Sequence, residues 1–250
     1  MAETDIKRGL QEFWGLLDDD QRAVISNRAI VQSYSKGESL YKVGEDSTYL
    51  VCVLTGHIKL EKLGVGGRMQ ITRMFGPGEN FGYRSYFAKQ DHQTEAVAMV
   101  PTQVALVPME LIEKICMINA SLAMYFVRNL ATDLGASDER TITLTQKHIR
   151  GRLAESITML IDKYGYEADG MTINAALPRE DLAALSNMTT SNAIRTLGSL
   201  VADGILEVEA RRIRLLNPEK LRHINANGRG RYPSILRLHP PNEAKNRLFY

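Results

Sequence analysis

The chain has 250 residues, 44% hydrophobic and 24% charged, with a formal net charge of +2. That profile fits a globular protein with room for two domains, each with its own core. No apolar run reaches the ~18 residues that would suggest a membrane span. The charge is unevenly placed, −2 over residues 1–147 and +4 over residues 148–250, so a polyanionic partner is expected on the second half. The opening MAETDIKRGLQEFWG has no charged start followed by an apolar core, so no secretory signal and a cytoplasmic location are expected.

Residues 5–30 read as helical. Leu10, Phe13, Trp14 and Leu17 share one face, and Asp18-Asp19-Asp20 forms a turn before a second helix. From Ile30 to Val107 the pattern changes to short runs broken by glycine. Strands are expected at Ile30–Tyr34, Ser39–Tyr41, Tyr49–Thr55, His57–Leu63, Met69–Phe75, Glu95–Met99 and Gln103–Pro108. Thr55-Gly56 and Val65-Gly66-Gly67-Arg68 are expected hairpin turns. Many short strands with glycine turns argue for a jelly roll or barrel. Cys52 and Cys116 both lie in apolar runs, so buried free thiols are expected.

Helices return at Met109. Glu110 to Ile118 reads as a short helix, and Asn119 or Ser121 is placed to cap a long one running to about Lys147. Leu122, Phe126, Leu130 and Leu134 recur along it every four residues. Leu130 and Leu144 sit two heptads apart with Ser137 between them, an imperfect coiled-coil seam. A helix of roughly 27 residues would extend ~40 Å. It either packs only on its own barrel or, the preferred reading, pairs with a twin in a homodimer.

The C-terminal domain begins at Ile149 with a helix carrying Leu153, Ile157, Leu160 and Ile161, then a loop and short strand over Tyr164 to Thr172. Two short helical patterns follow. Arg179 to Leu185 has Leu182 and Leu185 on one face, and Thr190 to Leu200 has Ala193, Leu197 and Leu200. Ser186-Asn187-Met188-Thr189 joins them, Thr189 or Thr190 can cap the second, and Gly204 suits a left-handed end. An amphipathic hairpin with a solvated polar face has the same period as a helix-turn-helix. The flanks favour the DNA reader: Leu206 to Leu216 reads as strand, turn, strand, with Arg211, Arg212 and Arg214 forming a basic wing. Candidate DNA contacts are Thr189, Thr190, Ser191, Asn192 and Arg195, with Arg179 ahead of them and Arg211 and Arg212 in the wing. Short hydroxyl and amide groups suit phosphates and base edges, and one arginine a turn later suits guanine O6 and N7. Pro218 to Ile224 makes a last helical turn or two. Residues 226–250 read as a flexible basic tail, with five basic side chains against Glu243 alone.

The expected fold class is therefore α+β: a jelly roll with flanking helices over 1–118, a dimerisation helix and hinge over 119–147, a winged helix-turn-helix over 148–225, and the tail. That order resembles the Crp/Fnr superfamily of bacterial transcription regulators over about residues 10 to 225. The resemblance rests on Gly37, Gly44 and Gly56, on Phe75-Gly76-Pro77-Gly78-Glu79-Asn80-Phe81-Gly82, on Arg152-Leu153-Ala154 and on Gly204-Ile205-Leu206. It implies a homodimer, an effector pocket in the jelly roll, two recognition helices on a near-palindrome of double-stranded DNA, and RNA polymerase as a partner.

The departures from the family pattern matter as much. Members that bind cyclic nucleotide place Gly-Glu after the phenylalanine and an Arg-Ser/Thr pair later. Here Tyr83 replaces the glutamate, and Asp91-His92-Gln93-Thr94-Glu95 holds no arginine, which argues against a cyclic nucleotide. Arg84 and Arg68 are nearby in sequence, so a pocket for an unidentified small molecule would draw on Phe81, Gly82, Tyr83, Arg84 and Arg68. Two cysteines cannot supply an iron–sulfur cluster. For haem, His57, His92 and His148 with Met69 and Met74 are the available ligands, but no spacing selects a pair. In the recognition helix, Ser191 stands where many members carry an acid, while Arg195 matches the guanine reader by position. No metal-ligand cluster, nucleophile–base pair or phosphate loop points to an enzyme. A ligand-binding regulatory subunit without DNA is the main rival, and it leaves the helix-turn-helix unexplained.

Overall fold

A computed structural model describes residues 3–64 and 66–226. The proposed tail beyond Ala226 lies outside the described residues.

The chain opens with three short helices, α1 (Glu3–Gly9), α2 (Gln11–Trp14) and α3 (Asp19–Arg28). Asp18 caps α3 by accepting from the Gln21 amide at 2.8 Å, with the Gln21 side chain returning the bond. Eight strands follow: β1 (Ile30–Tyr34), β2 (Ser39–Tyr41), β3 (Tyr49–Thr55), β4 (Ile58–Leu63), β5 (Met69–Phe75), β6 (Asn80–Phe81), β7 (Glu95–Ala98) and β8 (Thr102–Pro108). A short helix, α4 (Tyr83–Phe87), lies between β6 and β7. The strands form two antiparallel four-stranded sheets, ordered β1-β8-β3-β6 and β2-β7-β4-β5. The sequence reading finds seven of the eight; β6, two residues long, has no period to detect.

β3 reads as an unbroken apolar run because both of its faces are covered. Val51 and Val53 join Ile58, Phe81 and Val104 between the sheets. Leu50, Cys52 and Leu54 face a second core built with Leu10, Phe13, Met109, Ile112, Leu122 and Phe126 from the helices. Gly56 turns the chain out of β3 at φ +81°, where an added Cβ would meet the Pro101 carbonyl at 2.6 Å. Cys52 is buried as expected, and burial pushes its thiol far up. Cys116 departs from expectation: it is only half-buried at the edge of the helical layer.

Helices α5 (Met109–Ile118) and α6 (Ala120–Gln146) close the first domain. Asn119 caps α6, accepting from the Leu122 amide at 3.1 Å. The 27 residues match the expected length, but the row expected as a seam is largely occupied within the chain itself. Leu122 and Phe126 are buried in the chain's own core and Leu130 packs beside them, so the four-residue row is mostly the inward face. The stripe left bare runs through Met124, Val127, Ala131 and Leu134, a 3-4-3 spacing, with Leu134 64% exposed.

The second domain contains α7 (Ile149–Tyr164), α8 (Arg179–Leu185), α9 (Thr190–Ala202), the hairpin of β9 (Leu206–Glu209) and β10 (Arg212–Leu215), and α10 (Pro218–Ala226). Leu153, Ile157, Leu160, Leu182, Leu197, Leu200 and Ile213 form its core. Ile71 and Met74 of β5 belong to that same core, so the two domains share packing. Polar ties reinforce the junction. Lys59 of β4 sits between Glu61 at 2.8 Å and Asp181 of α8 at 2.7 Å. Arg140 of α6 donates to the carbonyls of Ile71 at 2.7 Å and Leu185 at 2.8 Å. Lys163 of α7 pairs with Glu79 at 2.6 Å. At the hinge Lys147 is almost fully enclosed, donating to Glu155 at 2.5 Å and to Asn225 of α10 at 2.7 Å.

Candidate nucleic-acid interface

The joint between α8 and α9 assigns each residue of Ser186-Asn187-Met188-Thr189 a separate job. Ser186 is buried, its hydroxyl 2.9 Å from that of Ser156 on α7. Asn187 takes a left-handed conformation at φ +48°, and its carbonyl accepts from Arg152 at 2.9 Å. Met188 is buried in the core. Thr189 caps α9, its hydroxyl accepting from the Asn192 amide at 3.2 Å. The inward side of α9 is Ala193, Thr196, Leu197 and Leu200, all buried. What remains outward is Ser191, Ile194, Arg195, Gly198 and Val201, a continuous exposed face at helical spacing.

Thr190 and Asn192 flank that face and are half-buried. The Asn192 carboxamide accepts from Arg195 at 2.5 Å, which aims the guanidinium along the helix. Thr189, Thr190, Ser191, Asn192 and Arg195 are thus brought together on one side of one rigid element. Ile194 and Gly198 belong to the same face and were not read from the sequence, because an apolar residue and a glycine carry no polar signal.

Arg179 lies elsewhere in the interface. It donates to the carbonyl of Ala210 at the wing tip, where φ is +49°, and so holds the wing rather than presenting a free guanidinium. The wing is less basic than its arginines promise. Arg212 pairs with Glu167, and Arg214 lies 3.4 Å from Glu207 and 3.9 Å from Asp169. Arg211 is exposed at the turn and, among the described residues, makes no ion pair.

The five residues expected to build an effector pocket do not converge. Phe81 is buried in an aromatic stack, 4.5 Å from Phe75 and 6.2 Å from Tyr41 between ring centroids. Gly82, at φ +101°, brings its backbone against the Tyr49 carbonyl, where a Cβ would sit 2.6 Å away. Tyr83 turns from the strands toward α6, packing on Phe126 and donating to Asp133 at 3.3 Å. Burial and the Asp133 carboxylate hold its hydroxyl far above the usual range. Arg84 is exposed. Arg68 lies in the β4–β5 turn, close enough to Arg152 of the second domain to depress that guanidinium further after burial. His92, in the segment where the family arginine would stand, is buried and stacked on Tyr41 at 3.5 Å. Filled by aromatic rings, with Tyr83 in the acid position and Arg68 turned to the other domain, these residues do not fit a cyclic nucleotide.

The haem candidates are also scattered. His57 meets the edge of Tyr164 at 4.7 Å, and His92 is occupied by Tyr41. No group of three or more His, Cys, Asp or Glu among the described residues is placed to hold a metal ion. No helix among them is long and apolar enough to cross a membrane.

A jelly roll joined by a long capped helix to a winged helix-turn-helix with a bare reading face defines a two-domain DNA-binding regulator. Comparison with known proteins agrees domain by domain. Residues 31–119 match the cyclic nucleotide-binding domain family and residues 151–224 the Crp-like helix-turn-helix domain, together more than half the chain. Electron transport regulator A of Shewanella oneidensis is 24% identical over 195 residues, covering 78% of each chain. The global nitrogen regulator of Synechococcus elongatus is 23% identical, covering 76% of this chain and 87% of that protein. Among solved structures, FixK2 from Bradyrhizobium japonicum superimposes with a TM-score of 0.72 at 28% identity, covering 79% of this chain and 98% of that one. A Crp/Fnr-family regulator from Eubacterium rectale shares the fold with a TM-score of 0.69 at 18% identity, over 85% and 97% of the chains. The chain belongs to the Crp/Fnr family of DNA-binding transcription regulators. That family is made up of regulators rather than enzymes, and its members act as dimers.

Proposed function

We propose that the protein regulates transcription in the cytoplasm as a homodimer on a near-palindromic operator. Two copies of α6 pair along Met124, Val127, Ala131 and Leu134, and each α9 enters a major groove. The observation that carries this reading is the exposed Ser191–Arg195 face of α9, whose opposite side is locked into the core by four buried residues. A face held that firmly can present a guanidinium to guanine O6 and N7 without first ordering the helix. Ser191 and Thr190 serve phosphates or base edges beside it, and Arg211 is the wing cation free for the backbone. Arg179 acts indirectly, by holding the wing tip.

Control comes through the shared core of β5 and α8, where any change in the jelly roll is felt by the reader. An unidentified effector in the jelly-roll domain, other than a cyclic nucleotide, acts through that core, and the bound dimer contacts RNA polymerase. The stacked Tyr41, Phe75, Phe81 and His92 support a cyclic-nucleotide-independent reading.

Selection of random duplexes by the purified protein tests the proposal. A two-fold-symmetric site with a guanine in each half is expected. On that site Arg195→Ala should lose about 1–3 kcal/mol while binding to scrambled duplex stays nearly unchanged. Equal losses on both duplexes would remove α9 from the role of reader.

A further inference from the structure

Ile194 stands on the reading face between Ser191 and Arg195, 53% exposed, with no partner from its own core. Among the described residues, nothing covers this branched apolar side chain. Helical side chains lean toward the N-terminus, so the residue that would shield Ile194 is the one a turn later. That residue is Gly198. It is exposed, in ordinary helical conformation, and a Cβ added to it would meet nothing within 4 Å. No packing or backbone strain in the described structure calls for glycine, yet glycine in a helix interior costs about 1 kcal/mol against alanine. Two independent oddities on one face, a bare isoleucine and an unforced glycine, describe a helix that seats close against a surface with an apolar feature. In a major groove the only apolar group on a base edge is the 5-methyl of thymine.

We propose that Ile194 is a specificity-determining residue that contacts a thymine methyl beside the guanine read by Arg195, with Gly198 allowing the close approach. The inference rests on α9 being the DNA reader. Asn192 draws the Arg195 guanidinium to its own side, leaving the Ile194 side of the helix for the neighbouring base pair. Ile194 and Arg195 then read adjacent steps through different chemistry, a methyl contact and a bidentate hydrogen bond.

Replacing thymine by uracil removes the methyl and nothing else. On the selected operator, with each thymine changed in turn, the wild-type protein should lose about fourfold in affinity at one thymine per half-site, the value of one buried methyl. Ile194→Ala should bind the thymine and uracil duplexes alike at that position. Because Ile194 is half-exposed, the variant keeps its fold, which its thermal unfolding checks. A selected half-site with no thymine next to the guanine, uracil tolerated at every position, or discrimination retained by Ile194→Ala would each overturn the proposal. Arg195→Ala separates the two readings. If it loses specific binding while uracil is silent, α9 remains the reader and only the Ile194 contact fails. If it affects operator and scrambled duplex equally, the underlying reading fails.

Discussion

Arg195 and Arg179 both stand among the candidate DNA contacts in the sequence, and the structure places them differently. Arg195 lies on the outward side of α9 because Ala193, Thr196, Leu197 and Leu200 fix the inward side. The period of apolar residues therefore made it legible. Arg179 is spent on the Ala210 carbonyl, a partner 31 residues away that no local pattern announces. The same holds for Glu167, which pairs with Arg212, and for Asp169, 3.9 Å from Arg214, both from the loop after α7; Glu207, nearer to Arg214, lies opposite it in the hairpin. His92, one of the histidines available in sequence, is buried and stacked on Tyr41, a contact between distant residues that no local pattern announces. Burial holds its imidazole below the ordinary value of 6.5, with Arg84 adding to the depression and Glu45 and Asp91 opposing it. The unfolded chain then takes up the proton first as pH falls. Stability is complete above 6.5 and drains away as pH falls from 6.5 toward the lower folded value. His92→Phe keeps a ring against Tyr41 and removes the titration. Denaturant melts at pH about 7.5 and about 5 should show a smaller acid loss for the variant than for wild type. An identical loss would mean that His92 is not charged on unfolding.

Among the elements, α6 shows most clearly what a linear pattern can and cannot settle. Its length and its Asn119 cap were legible, because both are local. Its seam was not. Leucine and phenylalanine at four-residue spacing satisfy an inward face as well as a dimer seam, and here Leu122 and Phe126 went to the chain's own core. The bare stripe is one step around the helix and contains smaller residues, Met124, Val127 and Ala131, before Leu134. Burying a leucine is worth about 1.5–3 kcal/mol, and a two-fold interface counts it twice. Leu134→Glu should therefore raise the dimer dissociation constant by at least about a hundredfold, read by sedimentation across a dilution series. A variant that stays dimeric at the same concentrations would move the interface away from this stripe. The helix-turn-helix was legible throughout, since its turn, cap and core positions all fall within one short window. β6 and α4 were missed for the converse reason, being too short to show a period.

Taken as a whole, the molecule joins its sensor-like and DNA-reading halves through more than a linker. Ile71 and Met74 of the jelly roll complete the core of the second domain, and Lys59, Arg140 and Lys163 tie strands, long helix and reader together. The domain order could be read from composition and glycine spacing. The junction could not, because it depends on residues more than a hundred positions apart, such as Lys59 and Asp181. With α8 fixed on β5, the direction of α9 is set by the jelly roll and, in the proposed dimer, by the pairing of two α6 helices. A dimer of that kind reads two half-sites on the same side of DNA, about 34 Å or one turn apart.

The spacing of the half-sites tests that claim most directly. Affinity is measured for the selected operator and for the same operator with half a helical turn, about 5 bp, inserted at its centre. The insertion moves the second half-site to the opposite side of the duplex. For a rigid two-fold reader, binding should fall to the level of a duplex carrying one half-site alone. Unchanged affinity after the insertion would contradict a rigid two-fold reader and leave each α9 acting on its own.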